Sequence, residues 1–235
     1  VQLQKIKPDW NCPVIVAATG PSLDANVALE CRKSRLYGDC RVVVVNDAWR
    51  LMPWADILYA CDAGWWKVHD GVPGFRHGER WSTHEGTKPD DSNYKGDLPK
   101  EWRINYVRGR AGNTFSTDQS VVHYGMNSGF QAINLALLKG ATKVILVGFD
   151  MKRTGGKAHF FGDHPNGLCV STHYENFIPQ FRIAAKDCTV PIVNATPGSA
   201  LDCWPRVALD DALRDCVLHC DRPVADARAD QPSAA

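Results

Sequence analysis

Five short apolar runs recur along the chain, and each breaks off at a polar residue. They occupy residues 14–19, 41–46, 55–60 (leading into Cys61 and Asp62), 143–147 (leading into Gly148, Phe149 and Asp150) and 190–194. Cores such as VVVV and VILV are β-branched, too brief for helices, and lack the alternation of a half-exposed strand. A strand that is apolar on both sides must be covered on both faces, as in a parallel sheet between helices. Helical spacing fills the intervals at 23–35, at 128–139 with Gly140 as its stop, and at 174–186. The pattern predicts an α/β fold: a doubly wound, mostly parallel, Rossmann-like sheet.

The rhythm breaks between residues 71 and 123, which are rich in Gly, Pro, Asp, Lys, Arg and His, with Trp81, Tyr94, Trp102 and Tyr106 interspersed. So long a stretch with little regular pattern reads as a lid or binding insertion, and its tryptophans argue against full disorder. Short strands at 104–107 and 120–124 are the regular elements expected in it. Residues 1–222 are expected to form one domain carrying this insertion, followed by a frayed tail, 223–235.

A net charge of +1 over 235 residues offers no general field for nucleic acid or an anionic membrane. No apolar run approaches the length of a membrane span, and no signal-peptide pattern stands at the N-terminus; it is the cysteine usage that leads to the expectation of a cytoplasmic protein. The nine cysteines, odd in number and irregularly spaced, read as reduced thiols. Cys216, His219 and Cys220 share a helix face, but the further ligands that a metal site needs are missing.

In an open parallel sheet the strand ends lie along one edge, where ligands bind. Here that edge collects Thr19, Asn46, Asp62, Asp150 and Asn194. The first strand stops at Thr19-Gly20-Pro21-Ser22, which matches neither GxGxxG nor the Walker pattern. It is either a plain tight turn or a rigid cradle for a phosphate or ribose, with Ser22 able to cap the next helix. Asn127-Ser128-Gly129 opens the strongest helix, with Ser128 as candidate N-cap and the positive end of the helix dipole turned to an anion. The loop HFFGDH supplies His159, Asp163 and His164. With Asp150 these are metal-ligand types; alternatively one histidine handles protons or contacts a phosphate. His173 stands at the start of the following helix.

Taken in order, AATGPSL, VVVVN, LYACD, NSG, INLALLKGATKVILVGFD and NATPGSAL resemble the signature of the bacterial lipo-oligosaccharide sialyltransferases. The pattern covers most of residues 12–205. It is also similar to the hydroxymethylpterin pyrophosphokinase relatives, and to phage-encoded proteins carrying NSG, GFDM and GDHP. The resemblance implies metal-independent sugar transfer from a nucleotide-activated donor, cytidine-based in the family, to a hydroxyl acceptor, with no cofactor. It places Thr19, Asn46, Asp62 and Ser128 around the nucleotide, and the strand-end, turn and helix-start readings add Gly20, Pro21, Ser22, Asn127, Gly129 and Asp150. It assigns His173 as general base; beside it, the residues themselves offer His159 to stabilise or protonate the departing phosphate and His164, next to Asp163, as the competing base. Thr19 and Asp62 stand where the family has asparagine, and Met151 and His159 where it has tyrosines. A phage origin implies the host cytoplasm, with a glycan or a modified DNA base as acceptor. Two alternatives stay open. One is a Mg-dependent pyrophosphokinase-like transferase using Asp62, Asp150 or Asp163; the other is a silent nucleotide-binding phage protein.

Overall fold

A computed structural model describes residues 2–38, 40–84, 98–164, 168 and 173–217. In chain order it contains β1 (Pro13–Ala17), α1 (Ala25–Tyr37), β2 (Arg41–Val45), β3 (Ile57–Tyr59), α2 (Ala63–Val68), β4 (Glu79–His84), β5 (Ile104–Arg110) and β6 (Val121–His123). Then follow α3 (Ser128–Lys139), β7 (Lys143–Val147), α4 (Tyr174–Asp187), β8 (Ile192–Asn194) and α5 (Leu209–Val217). The eight strands form one sheet in the order β6-β5-β4-β3-β2-β1-β7-β8, and every neighbouring pair is parallel. The fold is a Rossmann-like α/β sheet.

Burial on both faces explains the missing alternation. Val14, Val16, Val43, Val45 and Leu146 pack toward α3 and α4 through Phe130, Ile133 and Phe181. Ile15, Ala17, Val42, Val44 and Val147 pack on the other side with Cys31 of α1, Trp66 of α2 and Leu213 of α5. Each fully buried Val, Leu, Ile or Phe side chain contributes about 1.5–3 kcal/mol relative to exposure. The β1–β2–β7 centre is therefore where the core is most completely buried.

The stretch 71–123 contains the short strands expected at 104–107 and 120–124, as β5 and β6, and adds β4 to them. It supplies β4, β5 and β6, which extend the sheet beyond β3. Trp81, Val107 and Val122 join the buried cluster on one face, Ile104 and Tyr106 are partly buried against the cluster on the other, and polar residues such as Arg80, Asn105 and Arg108 stand among them. In β4 the polar neighbours of Trp81 hid the strand pattern.

Two helix caps also differ from expectation. Asp24, not Ser22, caps α1 by accepting the N–H of Val27 at 2.8 Å. Asn127, not Ser128, caps α3 by accepting the N–H of Phe130 at 2.9 Å. Both hydroxyls are thereby released for other partners. Gly140 ends α3 in the left-handed region at φ 98°, as its position suggested. Ten of the twelve residues of α3 are buried, so it is a central helix rather than an amphipathic surface one. Its polar positions are satisfied: Asn134 accepts the N–H groups of Ser116 and His123, and Gln131 accepts the Tyr59 hydroxyl.

The sheet grows outward from β1 to β6, and α3 then carries the chain back to place β7 on the other side of β1. Helices leave β1 and β7 toward opposite faces. A crevice opens at the carboxyl ends of such a pair, which is where open α/β sheets bind ligands.

Candidate functional site

A cavity of about 230 Å3 occupies that crevice. Thr19 and Gly20 enter it from the end of β1, Asn46 from β2, Asp62 from β3 and Asp150 from β7. Asn127, Ser128 and Gly129 line it at the start of α3, and His159 and His164 from the loop after β7. The structure thus brings together ten of the residues singled out from the sequence. Pro21, Ser22 and His173 are not among the lining residues. The strand end Asn194 is also absent from it; this side chain is fully buried, accepting from Thr196 N–H and donating to Leu201 O.

Asp150 and Ser22 form a clamp. The carboxylate accepts the Ser22 hydroxyl at 2.7 Å and the Ser22 N–H at 3.1 Å, while only 3% of Asp150 is exposed. Asp150 therefore holds the Thr19–Ser22 turn in shape, and Ser22 spends its hydroxyl on that task. Removing the carboxylate leaves a part-buried N–H unmet, at about 1–3 kcal/mol. Asp150→Ala and Ser22→Ala are each expected to destabilise the fold, and the double variant to lose clearly less than their sum. A chemical-denaturation double-mutant cycle reads the coupling.

Asn46 adopts a left-handed φ of 47°, a conformation that asparagine tolerates better than most residues. This turns the chain sharply at the end of β2. Asn46 faces the cavity while the next residue, Asp47, points into the core and is fully buried. Sequence reading passed over Asp47. It is the hub of a polar cluster: Oδ1 pairs with Arg50 at 2.7 Å and lies 3.5 Å from His69 Nε2. Its Oδ2 accepts the Trp65 indole N–H at 2.9 Å and lies 3.9 Å from His164 Nδ1.

The loop carrying the histidines is pinned over the cavity by β1. Phe160 N–H donates to Thr19 O at 3.0 Å, and Thr19 Oγ1 lies 2.9 Å from His159 Nδ1. The His159 ring stacks on Phe161 at 5.1 Å and sits 4.5 Å from His164. Burial, and next the neighbouring His164, push the His159 pKa down to about 4. Burial also lowers His164 and His69, with Asp47 opposing the shift in both. All three rings are held neutral near pH 7.

As pH falls below 6.5, the unfolded chain takes up protons on these histidines before the folded chain does. Stability is therefore lost progressively between about pH 6.5 and pH 4. His159→Gln should flatten part of that slope in thermal melts across this range; an unchanged slope contradicts the assignment.

Ser128 Oγ lies 3.1 Å from Cys61 Sγ, and burial pushes the Cys61 thiol up to about 12, so it stays protonated. The first turn of a helix has N–H groups without intrahelical partners, and Asn127 meets one of them. The cavity lining contains no Lys or Arg among the described residues. An anion here must be met by this helix end and by backbone donors.

Sequence reading missed Tyr174 and Phe177, which close the cavity from the first turn of α4. Their i, i+3 spacing was the available signal. The Tyr174 hydroxyl donates to Ala158 O at 3.3 Å, tying α4 to the histidine loop. His173, the residue before, is more than half exposed, with its Nδ1 3.0 Å from Glu175.

Among the described residues, no group of three or more His, Cys, Asp or Glu is arranged to hold a metal ion. His159, Asp163, His164 and Asp150 are therefore not a ligand set, since Asp150 turns to Ser22. Cys216 is buried beside α1, whereas His219 and Cys220 lie outside the described residues. No helix among the described residues is long and apolar enough to cross a membrane.

The chain matches no protein-family model and no curated protein. Among solved structures it is similar to the MAf glycosyltransferase from Magnetospirillum magneticum AMB-1, with a TM-score of 0.57 and 15% sequence identity. The match covers 88% of this chain and 35% of that one, so the chain spans about a third of its length. At this identity the likeness concerns the fold, not the sugar, the base or the source of the chain.

Proposed function

We propose that the chain is a glycosyltransferase-like enzyme that binds a nucleotide-activated sugar in the β1–β7 crevice and transfers the sugar to a hydroxyl. The observation that carries this reading is the convergence of Thr19, Asn46, Asp62 and the start of α3 beside two neutral histidines. The nucleotide phosphate sits against the α3 N-terminus, whose dipole and N–H groups stabilise the charge left when the sugar–phosphate bond breaks. Thr19 Oγ1 lies 2.9 Å from His159 Nδ1; in the tautomer in which the Thr19 hydroxyl donates that hydrogen bond, Nε2–H is left to donate to the departing phosphate. His164 accepts the proton of the acceptor hydroxyl as that oxygen bonds the sugar carbon. Its position in the cavity favours it over His173, which is exposed and paired with Glu175. The reaction is proposed to be metal-independent, because one of the two cavity carboxylates, Asp150, is engaged by Ser22.

The test is a thermal-shift panel of CMP, CDP, UDP, GDP and ADP, each with Mg2+ and with EDTA. One nucleotide at a hundred times its dissociation constant is expected to add about 2.7 kcal/mol of stability. Stabilisation by none of them overturns the reading. Stabilisation that vanishes in EDTA and returns with Mg2+ replaces it with the pyrophosphokinase-like alternative. A glycan and a DNA containing hydroxymethylated pyrimidine, offered as acceptors with the donor so found, separate the two acceptor classes.

A further inference from the structure

Asp47 is an expensive residue to keep. Its side chain is fully buried, and its charged partner Arg50 is 43% exposed, so the pair gains less than an enclosed one would. Burying a carboxylate costs several kcal/mol unless geometry and hydrogen bonds offset it. Packing does not demand it, since the Trp65 indole would be met equally well by a neutral acceptor. What only an anion supplies is a field, and that field reaches the cavity. From Asp47 Oδ2 it is 3.9 Å to His164 Nδ1, and the His164 ring is 4.5 Å from that of His159. His164 Nδ1 is buried and makes no hydrogen bond in the unliganded chain.

We infer that Asp47 is a positioning residue, whose buried carboxylate orients His164 with its proton on Nδ1 and leaves Nε2 free to accept a proton in the cavity. This rests on the transferase reading of that cavity. The logic is that of any carboxylate behind a histidine base: one ring nitrogen is held as a donor, which makes the other the acceptor. When His164 takes the proton of the acceptor hydroxyl it becomes an imidazolium, and the 3.9 Å gap to Asp47 becomes attractive. Asp163 and Asp62 favour the same charged form, while Arg50 opposes it. His159 also faces the ring, and His69 shares the other side of Asp47. Asn46 makes the arrangement possible, because its left-handed turn sends consecutive residues to the cavity and to the core.

The experiment has two arms. The first uses the unmodified chain: 15N spectra of the imidazole nitrogens, with the His164 signals identified by their loss in H164Q. The neutral ring is expected as the Nδ1–H tautomer, and an Nε2–H tautomer overturns the inference without any Asp47 variant having to fold. The second arm compares Asp47→Asn with the parent. The His164 pKa should fall, and kcat should drop by roughly a hundredfold or more with KM nearly kept, as for loss of a positioned base. The acid limb of the kcat profile should move to lower pH, because the group that raised the base's pKa is gone. A merely structural Asp47 would lower stability and leave the tautomer, the His164 pKa and the limb in place; that result overturns the inference. The tautomer and pKa readouts need no substrate. If they behave as expected while no nucleotide binds, Asp47 does position His164 and it is the transferase reading that fails.

Discussion

Gly20→Ala is expected to abolish nucleotide-induced stabilisation and to weaken the fold itself. A β-carbon at this position would fall on the Asp150 carboxylate and on Gly148 O, well inside van der Waals contact. Neither neighbour can yield cheaply. Gly148 O accepts the Gly20 N–H at 2.8 Å, which stitches the β1 and β7 ends together, and Asp150 is held by Ser22. The methyl group must therefore push the turn away from β7, at about 1–3 kcal/mol for overpacking a close-packed site. The same displacement moves Thr19, and with it His159 and the loop that covers the cavity. Denaturation curves give the first loss. The melt-shift panel gives the second, in which the shift worth about 2.7 kcal/mol at saturating nucleotide should disappear. A variant that keeps the full nucleotide shift would place the ligand elsewhere.

His164→Ala is expected to lower turnover by roughly a hundredfold or more, the usual cost of removing a positioned base, while nucleotide binding persists. His173→Ala is expected to keep parental turnover, because His173 lies outside the cavity lining and pairs with the exposed Glu175. His159→Ala should act differently from both, weakening donor affinity as well as rate, since it loses its link to Thr19. The three variants, assayed for sugar-nucleotide turnover across pH, order the histidines by role. Loss of activity in His173→Ala with a parental profile in His164→Ala would return the base to the start of α4 and remove His164 from the mechanism.

The local chemistry of this chain was enough to announce the sheet and the edge at which the cavity opens. VIVA, RVVVV and KVILV are unbroken apolar β-branched runs, and such runs have one stable home, a strand covered on both faces. Their polar ends, Thr19, Asn46, Asp62 and Asp150, had to emerge together because parallel strands share a carboxyl edge. What each polar group then does was decided by contacts distant in sequence. Asp150 reads as a ligand-binding strand end, yet 128 residues away Ser22 claims it, because β7 lies beside β1. Asn194 reads the same way, but β8 lies at the sheet's edge, and its side chain closes the following loop. Of the strands between residues 71 and 123, β5 and β6 fall on the short runs expected at 104–107 and 120–124, whereas β4 gave no such signal, because Trp81 stands between the polar Arg80 and Ser82. Asp47 carries no motif at all. Its role arises from a left-handed turn at Asn46 and from Trp65, Arg50, His69 and His164 arriving on separate segments, and burial of a charge is a property that only the packed chain possesses.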